Sequence, residues 1–405
     1  MVFSICNDAA HRPLGFEFGA EHAGLKKSGE LDLAWMRVVE SPGMSTPSPA
    51  VSAVGFFSAE QPPSPAARLC RRHLVTSRGR VHALLVHAGN ANCDNGTRGL
   101  ADAESLIAKT ATVAHLKKEQ ILICSSGVRG VVLPIEIIDV CLEALIERAS
   151  SARALDFARA ILSDGESIKI ASATGSVDGS ATSILGIAKA ARRTHPRLAT
   201  LLMLLFTDAA LPQDLLQSLG QTVVDHTLHS MTIDGRSSPC DSFVIVANGA
   251  SGGPLIQADS RSAAVLRVGL DAVAKNLVQQ ILREASSARV AQISVLSAPS
   301  CEEAHRVAEL IAIDPQVKHS IATSSPDLDR ILAALPQGDR DQVSRITLLV
   351  DGVSLIRNGQ RMQPAAEVLA RVFIRDRALV QLDLGLGAQQ AHLWTATYPF
   401  RPEPE

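Results

Sequence analysis

His195-Pro196-Arg197-Leu198-Ala199-Thr200-Leu201-Leu202-Met203-Leu204-Leu205-Phe206-Thr207-Asp208-Ala209 sets a threonine between a small residue and an unbroken apolar run. The run reads as one buried element, too short to span a bilayer. A hydroxyl at that place suits an unusual nucleophile. Attack of Thr200 on the carbonyl of Ala199 would split the chain and leave Thr200 as an N-terminal residue. The freed α-amine, with a reference pKa of about 7.7 to 8.0, would serve as base for the hydroxyl of its own residue, and no histidine is needed. The plain alternative is a threonine that only opens a core element and bonds its hydroxyl to nearby backbone.

Other blocks keep this threonine company. Upstream stand His87-Ala88-Gly89-Asn90-Ala91-Asn92-Cys93-Asp94-Asn95-Gly96, Cys124-Ser125-Ser126-Gly127-Val128-Arg129-Gly130 with Leu133-Pro134, and Gly186-Ile187-Ala188-Lys189. Downstream come Met231-Thr232-Ile233-Asp234-Gly235, Ser238, Asp241 and Ala247-Asn248-Gly249. In this order and at these spacings, from about Gly15 to about Trp394, the chain resembles the ornithine acetyltransferase family, the bifunctional glutamate N-acetyltransferases. The resemblance implies an α/β fold of stacked β-sheets flanked by helices, layered α-β-β-α. It also implies self-cleavage before Thr200 into chains 1–199 and 200–405, and assembly as a tetramer of two of each. Acetyl transfer from N-acetylornithine to glutamate through acyl-Thr200, with no cofactor and no metal, is the activity it implies.

Local reading of the residues agrees with that chemistry. Ile121 to Cys124 reads as a buried strand, Ser125-Ser126-Gly127 as a tight turn and Pro134 as the first residue of a helix whose Ile138, Leu142, Leu145 and Ala149 share one face. A strand-turn-helix junction presents backbone N–H groups. By resemblance, the Ser126 hydroxyl and Gly127 would hold a tetrahedral oxyanion, each such donor contributing ~3 kcal/mol to the transition state. Asn90 and Asn92 order a supporting turn, or simply connect a strand at His82 to Val86 with a helix from Leu100 to Leu116. Lys189, eleven residues before Thr200 in an apolar stretch, is a candidate substrate contact, because a buried ammonium needs a carboxylate partner. Its alternative is a solvated lysine on a helix edge.

Departures from the family pattern concern the pocket. Ala190-Ala191-Arg192-Arg193-Thr194 replaces a Gly-Ser-Gly stretch, adding two cations. Ser286, within Glu284-Ala285-Ser286-Ser287, stands where an acidic substrate contact is expected, and Ser325-Pro326-Asp327-Leu328-Asp329-Arg330 alters another block. The closing Ile-Asn and Tyr-x-Thr elements have no counterpart. These changes favour an anionic or neutral substrate over ornithine, with Arg192 or Arg193 as carboxylate ligands. An amidase that lets water take the acyl group, or a non-catalytic homologue, are the alternatives.

Composition bounds the rest. The chain has 405 residues, 46% of them hydrophobic, enough for a sizeable core in one large domain or two ordinary ones. A net charge of −2 and 3% aromatics argue against nucleic acid. Seven scattered cysteines without a Cys-x-x-Cys pair, and an N-terminus without an apolar leader, suggest a reduced, cytoplasmic protein with small-molecule partners and no membrane contact. His226 and His229 lack the spacing and the glutamate of a zinc helix. Strands are expected at Phe243 to Ala247, Ile293 to Leu296 and Ile346 to Val350, and helices at Leu142 to Leu162 and Val265 to Ala285. Ser41 to Pro49 and Gln61 to Pro65 read as loops, and Ser297-Ala298-Pro299-Ser300 as an interruption between two helices. Gly249-Ala250-Ser251-Gly252-Gly253 fits a nucleophile elbow on paper, but reads better as a loop.

Overall fold

Six consecutive buried residues, Leu202–Thr207, form the strand that organises this computed structural model. The structure describes residues 3–39, 51–190, 200–286, 289–323, 331–332, 344–364, 368 and 376–398. Arg192, Arg193 and Ala199 lie outside them, as do the expected loop 41–49 and the block 325–330. Two compact units emerge: Met1–His226 with Ser237–Leu277, and Thr227–Arg236 with Val278–Glu405.

The early strands are β1 (Phe3–Cys6), β2 (Phe16–Glu21), β3 (Leu33–Val38), β4 (Ser52–Phe57), β5 (Ala83–Asn90) and β6 (Ile121–Val128). Next come β7 (Lys169–Val177), β8 (Ser180–Lys189), β9 (Leu202–Thr207), β10 (Met231–Thr232) and β11 (Ser242–Ala247). Helices α1 (Pro65–Ser77), α2 (Gly96–Ala114), α3 (Ile135–Glu147), α4 (Ala154–Ala160), α5 (Gln213–His226) and α6 (Arg261–Ala285) lie among them. In the first unit β1-β7-β8-β9-β11-β4 make a six-stranded sheet, parallel only between β9 and β11. A four-stranded sheet runs β2-β3-β5-β6, parallel only between β5 and β6.

Aromatic packing holds the two sheets face to face. Phe16 and Phe18 of β2 meet Phe206 of β9 with ring centroids 5.6 and 5.5 Å apart, and Phe157 of α4 packs edge-on to both Phe18 and Phe206. Rings at these separations gain attraction beyond the area they bury. Helix α3 covers β2 and β3. On the six-stranded sheet α6 comes so near that a Cβ on Gly186 would stand 2.5 Å from Val273, so a larger residue there would have to displace the Val273 side chain. Helix, sheet, sheet and helix therefore follow in the expected α-β-β-α order.

The second unit builds a further sheet that the sequence reading did not anticipate. Its later strands are β12 (Val290–Ala298), β13 (Thr347–Val350), β14 (Val353–Arg357), β15 (Gln360–Arg361), β16 (Arg377–Asp383) and β17 (Gln389–Ala396), with helices α7 (Cys301–Ile313) and α8 (Pro315–Ala322). The seven strands run β10-β17-β12-β16-β13-β14-β15. Buried Ala304, Val307, Ala308 and Ile311 of α7 share a core with Ile293, Val295 and Leu393 of this sheet.

Several local expectations need correction. No single helix spans 142 to 162: α3 ends at Glu147 because Ser150 exchanges two 3.0 Å backbone hydrogen bonds with Phe18, and α4 starts afresh after them. Pro134 caps α3 rather than forming its first residue. Ser125-Ser126-Gly127 belongs to β6 instead of a turn, since the parallel ladder to β5 continues through Gly127. Ser297 to Ser300 joins β12 to α7, where the Ser300 hydroxyl accepts the Glu303 N–H at 3.1 Å.

Phe206→Ala would remove the ring shared by both sheets and α4. We expect a loss of about 3–5 kcal/mol in unfolding free energy, read from urea denaturation; a loss below 1 kcal/mol, roughly that of a surface change, would show the stack to be dispensable.

Candidate functional site

Sheet register decides which side chains face the space between the two sheets. Phe18, Met36, Leu84 and Leu122 are successive cross-strand partners, and alternation carries their inward direction four residues along β6 to Ser126. Phe206 partners Leu185, and the same alternation carries its direction along β8 to Lys189. Ser126 and Lys189 thus enter the sandwich from opposite sheets. Both are fully buried, and among the described residues neither the Ser126 hydroxyl nor the Lys189 ammonium has a hydrogen-bond partner. Buried polar atoms without partners are costly, and each calls for a partner such as water or a ligand. The solvated-lysine alternative is excluded.

Thr200 lies just before β9 and is 3% exposed. Its Oγ1 stands 3.2 Å from the Ser238 Oγ. One carboxylate fixes this pair. Asp241 Oδ1 accepts the Leu201 N–H at 2.6 Å and its Oδ2 accepts the Ser238 N–H at 2.8 Å, while the Cys240 N–H donates to the Ser238 hydroxyl at 3.3 Å. Burial pushes the Asp241 carboxyl up to about 6, and the two N–H donors hold it down. The loop also reaches β6: the Cys240 sulfur lies 3.8 Å from Ser125 Oγ and donates to the Ala91 carbonyl at 3.5 Å.

The junction beside Ser126 has a strict backbone. Gly127 has φ +131°, and a Cβ there would fall 2.3 Å from the carbonyl carbon of Gly89. Asn90 ties the next segment down: its amide donates to the Val131 and Val132 carbonyls, each at 3.1 Å, and its oxygen accepts the Asn92 N–H at 2.7 Å. Asn92 in turn donates to the Gly99 carbonyl at 2.8 Å, anchoring the first turn of α2. Both asparagines are buried and occupied by backbone partners.

Lys189 has Glu166 as a charged neighbour, with Nζ 4.0 Å from Oε1. Burial lowers its pKa, and the Glu166 carboxylate opposes that. Sequence gave no hint of Glu166, because the contact joins residues from separate strands and loops. Ser238 and Asp241 were visible only as parts of a pattern. Asp208, after β9, is another buried carboxyl raised to about 6 by burial; it accepts the Leu14 and Ser183 N–H groups at 3.0 and 2.8 Å.

Ser286 belongs to the second unit, where its hydroxyl donates to the Leu282 carbonyl at 2.6 Å and accepts the Thr397 N–H at 3.4 Å. Ser251 sits in a loop after β11, with no helix before Arg261, so the elbow arrangement is absent. His226 is bonded to Asp271 at 3.1 Å. Among the described residues no helix is long and apolar enough to cross a membrane.

Stacked sheets under outer helices, with a buried hydroxyl pair and an enclosed ammonium, define an α/β enzyme scaffold. The chain belongs to the ArgJ family, whose profile matches residues 17–398. Its relatives include proteins called arginine biosynthesis bifunctional protein ArgJ. That of Geobacter sulfurreducens is 31% identical over 385 residues, 94% of this chain and 95% of the relative. That of Prochlorococcus marinus is 29% identical over 404 residues, 97% and 93% of the two chains. Among solved structures, ornithine acetyltransferase of Mycobacterium tuberculosis complexed with ornithine is similar at 22% identity and a TM-score of 0.40, covering 49% of this chain and all of that one.

A carboxyl raised on folding binds its proton more tightly in the folded state. Stability therefore rises as pH falls from about 6 toward the unfolded value of about 3.9, and stays level above 6. Asp241→Asn should flatten this rise in a plot of urea midpoint against pH, leaving the share of Asp208. Superimposable slopes for variant and wild type would contradict it.

Proposed function

We propose that the chain is a self-maturing N-acyltransferase with Thr200 as nucleophile. The observation that carries this reading is the Thr200 hydroxyl, buried at the mouth of β9, 3.2 Å from Ser238 and pinned through the Leu201 N–H by Asp241. In maturation the Thr200 oxygen attacks the Ala199 carbonyl carbon, the Ala199–Thr200 C–N bond breaks, and the nitrogen takes the proton. Water then hydrolyses the resulting ester, leaving a carboxylate on Ala199 and a free amine on Thr200.

Chains 1–199 and 200–405 would stay associated, because β8 and β9 on either side of the cut are hydrogen-bonded neighbours from Lys189–Leu202 to Ile184–Thr207. In turnover the Thr200 amine takes the hydroxyl proton as the oxygen attacks the acyl carbon of an N-acyl amino acid. It passes that proton to the departing amine, and an acceptor amine then attacks the acyl-threonine. The Ser126 hydroxyl, buried without a partner among the described residues, and the Gly127 N–H are suited to hold the oxyanion. Lys189 is suited to bind the substrate carboxylate. N-acetylornithine and glutamate are the first candidates for donor and acceptor, in arginine or related amino-acid biosynthesis, and a tetramer of two chains of each kind is the proposed assembly. Arg192 and Arg193 remain proposed carboxylate ligands, and Ser286 a proposed substrate contact.

Intact mass on freshly purified protein should give two fragments summing to the chain plus one water, and Thr200→Ala should give one uncut chain. An uncut wild type would end the proposal. In a cleaved preparation, Ser126→Ala should lower kcat ~100-fold in acetyl transfer from N-acetylornithine to glutamate, with product release into water instead of onto glutamate pointing to an amidase.

A further inference from the structure

Lys189 presents an unusual electrostatic problem. Its ammonium is wholly enclosed, carries three N–H donors and makes no hydrogen bond among the described residues. Among the described residues the charged or titratable groups facing it are Glu166 from the loop after α4, Asp241 and Cys240 from the loop before β11, and Lys169 from β7. Lys169 is a like charge on the neighbouring strand, where it pairs with Ala188. Asp241 has both carboxyl oxygens engaged by backbone N–H groups and is itself shifted toward its neutral form. Among the described residues Glu166 is the one carboxylate within ion-pair distance, at 4.0 Å, and its side chain is 3% exposed. Its other oxygen accepts the Ser163 N–H at 3.0 Å, which keeps the carboxyl group aimed from a fixed position.

A separation of 4.0 Å supplies charge compensation without using up the ammonium donors. Glu166 thus offsets the charge of an ammonium whose donors stay available to another carboxylate. We infer that Glu166 is the counter-ion that keeps Lys189 in its ammonium form, so that the two residues together set recognition of a substrate carboxylate. Glu166 acts through Lys189 and is a positioning residue. The inference rests on reading Lys189 as a substrate contact, and it narrows the substrate class to molecules with a carboxylate next to the reacting amide or amine. A neutral N-acyl amine would gain nothing from this pair.

The test uses the full-length protein with lysines labelled at 13Cε, the Lys189 signal being assigned by its loss in Lys189→Met. In Glu166→Gln the Lys189 titration midpoint should fall by about one pH unit or more, since an opposite charge at this range sustains the ionised form by that order. Glu166→Asp, which keeps the charge and lengthens the gap, should fall between, and it serves if the glutamine variant does not fold. The same midpoint in wild type and both variants would overturn the inference. A second readout is the pH profile of binding of N-acetyl-L-glutamate followed by calorimetry: in Glu166→Gln affinity should drop ~10-fold on the alkaline side of the lowered midpoint and recover below it. Should Lys189→Met bind this probe as wild type does, the substrate-contact reading fails while the titration result stands or falls separately.

Discussion

Enclosure of β9 governs the rest of the first unit. Leu202–Thr207 is buried at every position and hydrogen-bonded on both sides, antiparallel to β8 and parallel to β11. Such a strand has no freedom in register, because sliding by one residue would turn Phe206 away from Phe16, Phe18 and Phe157 and every other side chain with it. Thr200, two residues before the strand, is placed by it through Leu201, whose N–H donates to Asp241 Oδ1 at 2.6 Å.

The same constraint organises the charges. With β9 fixed, β8 delivers Lys189 opposite Leu202, and β11 delivers the loop that carries Ser238 and Asp241 against Leu201. Lys189, Ser238 and Asp241 are thus all attached to strands next to β9. Asp241 links them at a cost: two backbone donors partly offset the loss of water around its carboxylate, and the remainder shows as a pKa pushed up to about 6. Buried carboxyls arranged in this way tie loops to sheets at the expense of some stability at neutral pH.

The opposite sheet contributes by backbone shape. At Gly127 the ladder of β6 passes so close to Gly89 that no side chain fits, and the buried amides of Asn90 and Asn92 replace the ladder where it ends. This is why a stretch with the composition of a turn is a strand. Serine and glycine signal conformational tolerance, and tolerance suits a turn in isolation, but a neighbouring strand can recruit the same residues when its own backbone approaches closely. A similar competition ended the helix expected to run on past Glu147: alanine and leucine favour its continuation, yet Phe18 captures the backbone of Ser150.

Sequence by itself determined the buried run after Thr200, the strands at Ile121, Phe243 and Ile346, the alternation of helix and strand, and the order of motifs that marks the family. These depend on local apolar patterning and on residue identity, which survive without knowledge of partners. Tertiary structure alone decided that Ser126 and Lys189 face inward from different sheets, that Asp241 secures Leu201, that Glu166 stands 4.0 Å from Lys189, and that a seven-stranded sheet forms a unit of its own. Each of these joins residues far apart in the chain, and distant pairing is set by the summed packing of whole sheets rather than by any preference written within a few residues.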